Sequence, residues 1–177
     1  GIPVIYRNIF LNVENILNFK LDNNLNITFT IFWILLIINS INFTDNMDGF
    51  ASINTSFICL ALGIISFLSN QNYLADISLV LLFSISGFFI LNFPPAKIYM
   101  GDSGSLFIGF VLGFISILFD WSPVNQNILY NSFTPVLLFF SIPLLDFATV
   151  FTFRIKNKIS PTTGGTDHIS HRLLKAG

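Results

Sequence analysis

The chain has 177 residues, of which 53% are hydrophobic and 10% charged, with 22 Phe and a formal net charge of −1. So little charge cannot clothe a water-soluble domain of this size, so the apolar excess must face lipid. The near-neutral balance gives no reason to expect nucleic-acid binding, and the single cysteine, Cys59, has no partner for a disulfide and reads as packing.

The chain opens on Gly1 and closes on Gly177 after a basic segment, and both ends read as cut. Its leading segment holds Arg7 and Lys20 but no signal-peptide pattern, so insertion is expected to depend on the apolar runs that follow. A membrane span needs roughly 17–25 residues, which predicts helices near 26–43, 51–69, 74–92, 104–119 and 133–153. The connectors carry turn chemistry: Asn70, Gln71 and Asn72; Asn92, Pro94 and Pro95; Ser122 and Pro123. The expected fold is therefore an all-α polytopic membrane protein, one domain over 1–177 with about five transmembrane helices.

Lys97, Arg154, Lys156, Lys158, Arg172 and Lys175 fall on one side of this alternation, whereas the connectors 70–73 and 120–132 hold no Lys or Arg. Lys and Arg are enriched in cytoplasmic loops, so 44–50, 93–103 and 154–177 are predicted to be cytoplasmic, with Arg7 and Lys20 a mild exception. Most of the chemically versatile residues lie in these three loops.

The first constellation is Asn39, Asn42, Asp45 and Asp48, spaced by three, with Asn46 among them and Gly49 following. If helical throughout, they form one stripe at the end of a span, where amides and carboxylates need partners. Interhelical hydrogen bonding is the plainer alternative.

The second runs from Pro94 to Ser105 through Lys97, Tyr99, Gly101, Asp102 and Gly104, directly into the fourth helix. A carboxylate, Mg²⁺ and a diphosphate could assemble at such a helix start; alternatively, Asp102 or Ser103 merely caps it. Gly101-Asp102-Ser103-Gly104 matches the nucleophile segment of trypsin-like serine proteases, but that reading fails on its context before an apolar helix.

The third is Ser160 to Arg172, with Gly164, Gly165, Thr166, Asp167, His168, Ser170 and His171. Imidazoles, hydroxyls and a guanidinium suit a phosphate-bearing substrate, and equally a basic surface on anionic lipid. Two His three apart make a weak metal site; carboxylates suit Mg²⁺ better. Asp146, about two turns before Arg154, could serve the site or pair with a neighbouring helix.

These three segments, in this order, resemble the polyprenyl-phosphate N-acetylhexosamine-1-phosphate transferases of glycosyl transferase family 4, relatives of phospho-N-acetylmuramoyl-pentapeptide transferase. Asn39 to Ala51 is similar to the family's nucleotide-side motif, Ala96 to Ser105 to its metal-binding loop, and Asp167 to Leu173 to its histidine motif. The resemblance implies Asp45, Asp48, Asp102, His168 and His171 as catalytic residues. It implies Asp102 as the ligand of Mg²⁺, with Mn²⁺ the alternative, and Asn39, Asn42, Asn46, Tyr99, Ser170 and Arg172 as substrate-binding residues, Tyr99 stacking on uracil.

The sequence departs from the family at Ser170, where many relatives have His, and at Thr166, where Arg is frequent. No Asp-Asp pair occurs, although the family carries one on an earlier loop. The expectation is thus a piece of a roughly ten-helix enzyme, inactive by itself. The implied reaction moves a sugar 1-phosphate from a UDP-N-acetylhexosamine to polyprenyl phosphate, releasing UMP, for cell-wall or surface-polysaccharide synthesis. The implied setting is the bacterial inner membrane with the active face cytoplasmic, and a homodimer is an allowed assembly. The competing readings are an ion-coupled transporter and a non-catalytic membrane module.

Overall fold

A computed structural model describes residues 23–120 and 134–158 of the chain. Among these residues there are six helices and no strand: α1 Asn23–Thr44, α2 Phe50–Leu68, α3 Asn72–Asn92, α4 Gly101–Leu118, α5 Thr134–Phe139 and α6 Ser141–Lys156. The first four are long and apolar enough to cross a bilayer. At about 1.5 Å per residue their 18–22 residues reach about 27–33 Å, close to the hydrocarbon thickness. The chain is a multi-pass membrane protein whose outward faces carry side chains such as Phe57, Phe83 and Ile90.

The segment expected as one span over 133–153 is two helices that part at Phe140. Pro143 explains the break: it has no N–H for the Phe139 carbonyl, and its ring crowds that oxygen. Regular bonding continues around the gap, with Phe140 N donating to Val136 O and Leu144 N to Phe140 O, both at 3.0 Å.

Helices α2 and α3 form a hairpin. Its turn is set by Asn70, which adopts a left-handed φ of 57° just past the end of α2. Asn70 N donates to Phe67 O at 3.1 Å and Gln71 N to Ser66 O at 2.9 Å, the paired bonds of a Schellman stop. Asparagine tolerates this conformation better than other residues with a Cβ.

Helices α1 and α4 pack antiparallel along small residues of α4 spaced by three or four. Trp33 Nε1 donates to Ser116 Oγ at 3.0 Å. One turn on, Gly113 faces Ile37, and next Gly109 faces the Ile38 backbone, where a Cβ would stand 2.8 Å from Ile38 Cα. Only glycine allows that approach, and without a hydrophobic drive inside lipid such close backbone packing is what holds helices together. Phe140, between α5 and α6, and Phe147 on α6 pack on α1 through edge-to-face pairs with Trp33 and Phe43. The end of α1, the start of α4 and the end of α6 thereby come to one end of the bundle. At the opposite end the Gln71 carboxamide exchanges two hydrogen bonds with the Asp120 backbone, at 3.1 and 2.9 Å.

Candidate functional site at one end of the bundle

The α1–α4 register carries Asn42 to the first turn of α4. Its Nδ2 donates to Asp102 Oδ1 at 3.0 Å and to Ser105 Oγ at 2.9 Å. Ser105 is buried and its hydroxyl donates onward to Gly101 O at 3.1 Å. Asn42 thus joins two segments sixty residues apart and fixes one carboxylate oxygen of Asp102, a residue exposed at the start of α4.

Asp45 completes the cluster. Its carboxylate lies close enough to feel both the Gly101 backbone N–H and the charge of Asp102. Burial pushes its carboxyl above the usual value, the Gly101 N–H pulls it down, and the Asp102 charge pushes it up again. Two carboxylates drawn together against their mutual repulsion make a region that favours a cation. Among the described residues no three His, Cys, Asp or Glu converge.

The remaining expected residues separate. Helix α1 stops at Thr44, and residues 45–49 form a turn ending at Gly49, which has a left-handed φ of 73°. The expected helical stripe is therefore broken: Asn39 and Asn42 lie on α1, whereas Asp45 and Asp48 lie in the turn. Asn39 folds its amide onto its own helix, donating to Leu35 O at 2.7 Å, one turn before the cluster. Asn46 donates to Phe43 O at 2.7 Å, satisfying a carbonyl that the helix end leaves open. Asp48 Oδ2 accepts the Ala96 N–H at 3.0 Å, linking the turn to the loop before α4. Tyr99 stands 76% exposed on that loop. His168, Ser170, His171 and Arg172 lie outside the described residues.

Three features escaped the sequence reading. Asn92, read only as a turn residue, is buried and bonded to both loops. The small-residue spacing of Ser105, Gly109, Gly113 and Ser116 is legible in the sequence and marks the α4 face that meets α1. Arg154, counted only as a cytoplasmic charge, is 3% exposed with its guanidinium 5.6 Å over the Phe43 ring. Asp146, on the same helix, is buried too, at 1%.

The sequence profile of glycosyl transferase family 4 matches residues 2–120, which include both loops of the cluster. The chain belongs to glycosyl transferase family 4. Among family relatives, a probable undecaprenyl-phosphate N-acetylglucosaminyl 1-phosphate transferase of Bacillus subtilis (strain 168) is 34% identical over 149 residues, covering 84% of this chain and 40% of the relative. A phospho-N-acetylmuramoyl-pentapeptide-transferase of Streptococcus thermophilus (strain CNRZ 1066) is 36% identical over 106 residues, 59% of this chain and 31% of the relative. One of the same name from Streptococcus pneumoniae serotype 2 (strain D39 / NCTC 7466) is 37% identical over 106 residues, 59% of this chain and 32% of the relative. The chain spans less than half the length of each of these glycosyl transferase family 4 relatives.

Proposed function

We propose that this chain supplies part of the active site of an enzyme that transfers an N-acetylhexosamine 1-phosphate from its UDP derivative to undecaprenyl phosphate, with release of UMP. The observation that carries this reading is the meeting of Asn42, Asp45 and Asp102 at the start of α4.

The donor set suits a hard cation. Mg²⁺ usually takes one or two carboxylates and completes its shell with water and substrate phosphates, so two carboxylates are a sufficient protein share. Asp45 and Asp102 would hold it. When bound, Mg²⁺, or Mn²⁺ in its place, would offset the negative charge of the nucleotide diphosphate.

The chain's own groups account for positioning. Asn42 holds Asp102 in one orientation, and the open N–H groups at the start of α4 favour phosphate oxygens. Tyr99 offers an exposed aromatic face to a base. By the family resemblance, Asp45 and Asp48 line the uridine and diphosphate pocket with Asn42 nearby, His168, His171 and Arg172 hold phosphate, and Asn39, Asn46 and Ser170 bind substrate. Phosphoryl transfer needs chiefly such positioning and charge compensation, so no covalent nucleophile is required.

The polyprenyl chain would remain in lipid while the nucleotide sugar arrives from water, which an interfacial cluster permits. Lys97, Arg154, Lys156 and Lys158 stand at the same end as the cluster, supporting a cytoplasmic active face in a bacterial inner membrane.

The test is Mg²⁺-dependent UMP release from UDP-N-acetylglucosamine and undecaprenyl phosphate by the protein produced from its complete gene, beside folded Asp102→Asn. The expected result is lipid-dependent release that falls about 100-fold or more in the variant. A wild type that stays silent across a panel of UDP-sugars would overturn the reading and favour a non-catalytic or transport role.

A further inference from the structure

Asn92 ends α3 just before Pro94 and Pro95, facing away from water at 4% exposure. Its amide is used at both ends. Oδ1 accepts the Gly49 N–H at 3.0 Å and the Ser52 hydroxyl at 2.8 Å, while Nδ2 donates to Ile98 O at 2.9 Å. The orientation is forced, because the Gly49 N–H can only donate and the Ile98 carbonyl can only accept. One side chain therefore bridges the turn after α1, the start of α2 and the loop before α4.

The surrounding bonds reinforce this bridge. Asp48 Oδ2 accepts the Ala96 N–H at 3.0 Å, and Lys97 N donates to Leu91 O at 2.8 Å, folding the loop back on α3. Gly49 fits because it takes a positive φ and because a Cβ there would meet Phe89 at 3.0 Å and Pro94 at 3.4 Å. Turn and loop behave as one polar unit on a packed floor. Asp45 is the first residue of that turn, and Gly101 and Asp102 follow the loop.

We infer that Asn92 is a positioning residue that locks the 45–49 turn to the 93–100 loop and so sets the placement of Asp45 relative to Asp102. Its functional consequence rests on the transferase reading; the lock itself does not. Asn92 acts through Gly49 and Ile98, and its own polar atoms are occupied within the chain. Burial makes the lock stringent, since any group it releases loses its bond without gaining water.

Asn92→Asp tests this with one changed group: the shape and Oδ1 acceptor remain, while the donor to Ile98 O becomes a second oxygen facing an oxygen. The protein from its complete gene is compared in detergent as wild type, Asn92→Asp and Asn92→Ala, on monodisperse folded fractions. Hydrogen–deuterium exchange should rise about tenfold or more in peptides covering 44–50 and 93–101, with the peptide covering 106–118 unchanged. In the UMP-release assay Asn92→Asp should lower kcat about 10–100-fold while KM for the UDP-sugar stays within about threefold, the pattern of misplacement rather than lost contact.

Unchanged exchange in both loops, or an equal rise throughout the helices, would overturn the lock. Wild-type kcat in an Asn92→Asp protein with loosened loops would overturn its positioning role. A wild type without UMP release would instead sink the transferase reading, and exchange alone would then decide whether the lock exists.

Discussion

Gly109→Ala places the most direct strain on the link between helix packing and the site. The added Cβ would stand 2.8 Å from Ile38 Cα and 3.2 Å from Ile38 O, and these are backbone atoms that cannot swing aside. Ordinary contact begins near 3.4 Å, so α1 and α4 must part by about 0.6 Å at this level. One turn further on, a rigid-body shift of that size stretches the 3.0 Å bond from Asn42 to Asp102 to about 3.6 Å, outside hydrogen-bond range. Overpacking of this kind costs about 1–3 kcal/mol.

The activity cost is of the same order, because an error approaching 1 Å in a positioned group can lower a rate about 100-fold, or about 2.7 kcal/mol. The assay is UMP release together with thermal unfolding of the complete protein in detergent. Gly87→Ala is the control, since a Cβ there has nothing within 4 Å. Gly109→Ala should lower the unfolding midpoint and cut kcat at least about tenfold, with Gly87→Ala leaving both near wild type. A Gly109→Ala protein with wild-type midpoint and turnover, or equal losses in both variants, would refute the reasoning.

Two further outcomes follow from the site and from the far end of the bundle. Burial holds the Asp45 carboxyl above its ordinary 3.8, so its favourable contribution is fully present below the unfolded pKa and is lost as pH rises through the folded value. Asp45→Asn should therefore unfold at a higher temperature than wild type at pH 7 without divalent cations, an advantage that shrinks as pH falls toward 3.8. Added Mg²⁺ should raise the wild-type midpoint and leave the variant's in place, and a variant less stable than wild type at pH 7 would contradict this account. Gln71→Ala removes the paired bonds to Asp120 at the opposite end, so thermal unfolding should register a loss of about 0.5–1.5 kcal/mol while kcat is unchanged; a fall in turnover would break the separation of the two ends.

The sequence by itself determined the apolar runs that become α1 to α4, because a span announces itself by length and lack of charge without regard to its neighbours. Asn70 marked a helix stop, and Pro143 carried the break before α6, which run length alone concealed. The motifs at Asp45 and Asp102 were legible because such polar clusters at span ends stand out against an apolar background.

Only the tertiary structure decided which of these residues meet. Periodicity joined Asn39 to Asp48 in one stripe, but α1 ends at Thr44 and the turn closing at Gly49 takes Asp45 and Asp48 off its axis. Asn42 reaches Asp102 across sixty residues because Gly109 lets two backbones touch, and Asn92 reads as an ordinary turn residue until Gly49 and Ile98 converge on it. Local spacing fixes which face of a helix a residue occupies. The distance between two helices is set by the side chains of both, and no single stretch of sequence contains it.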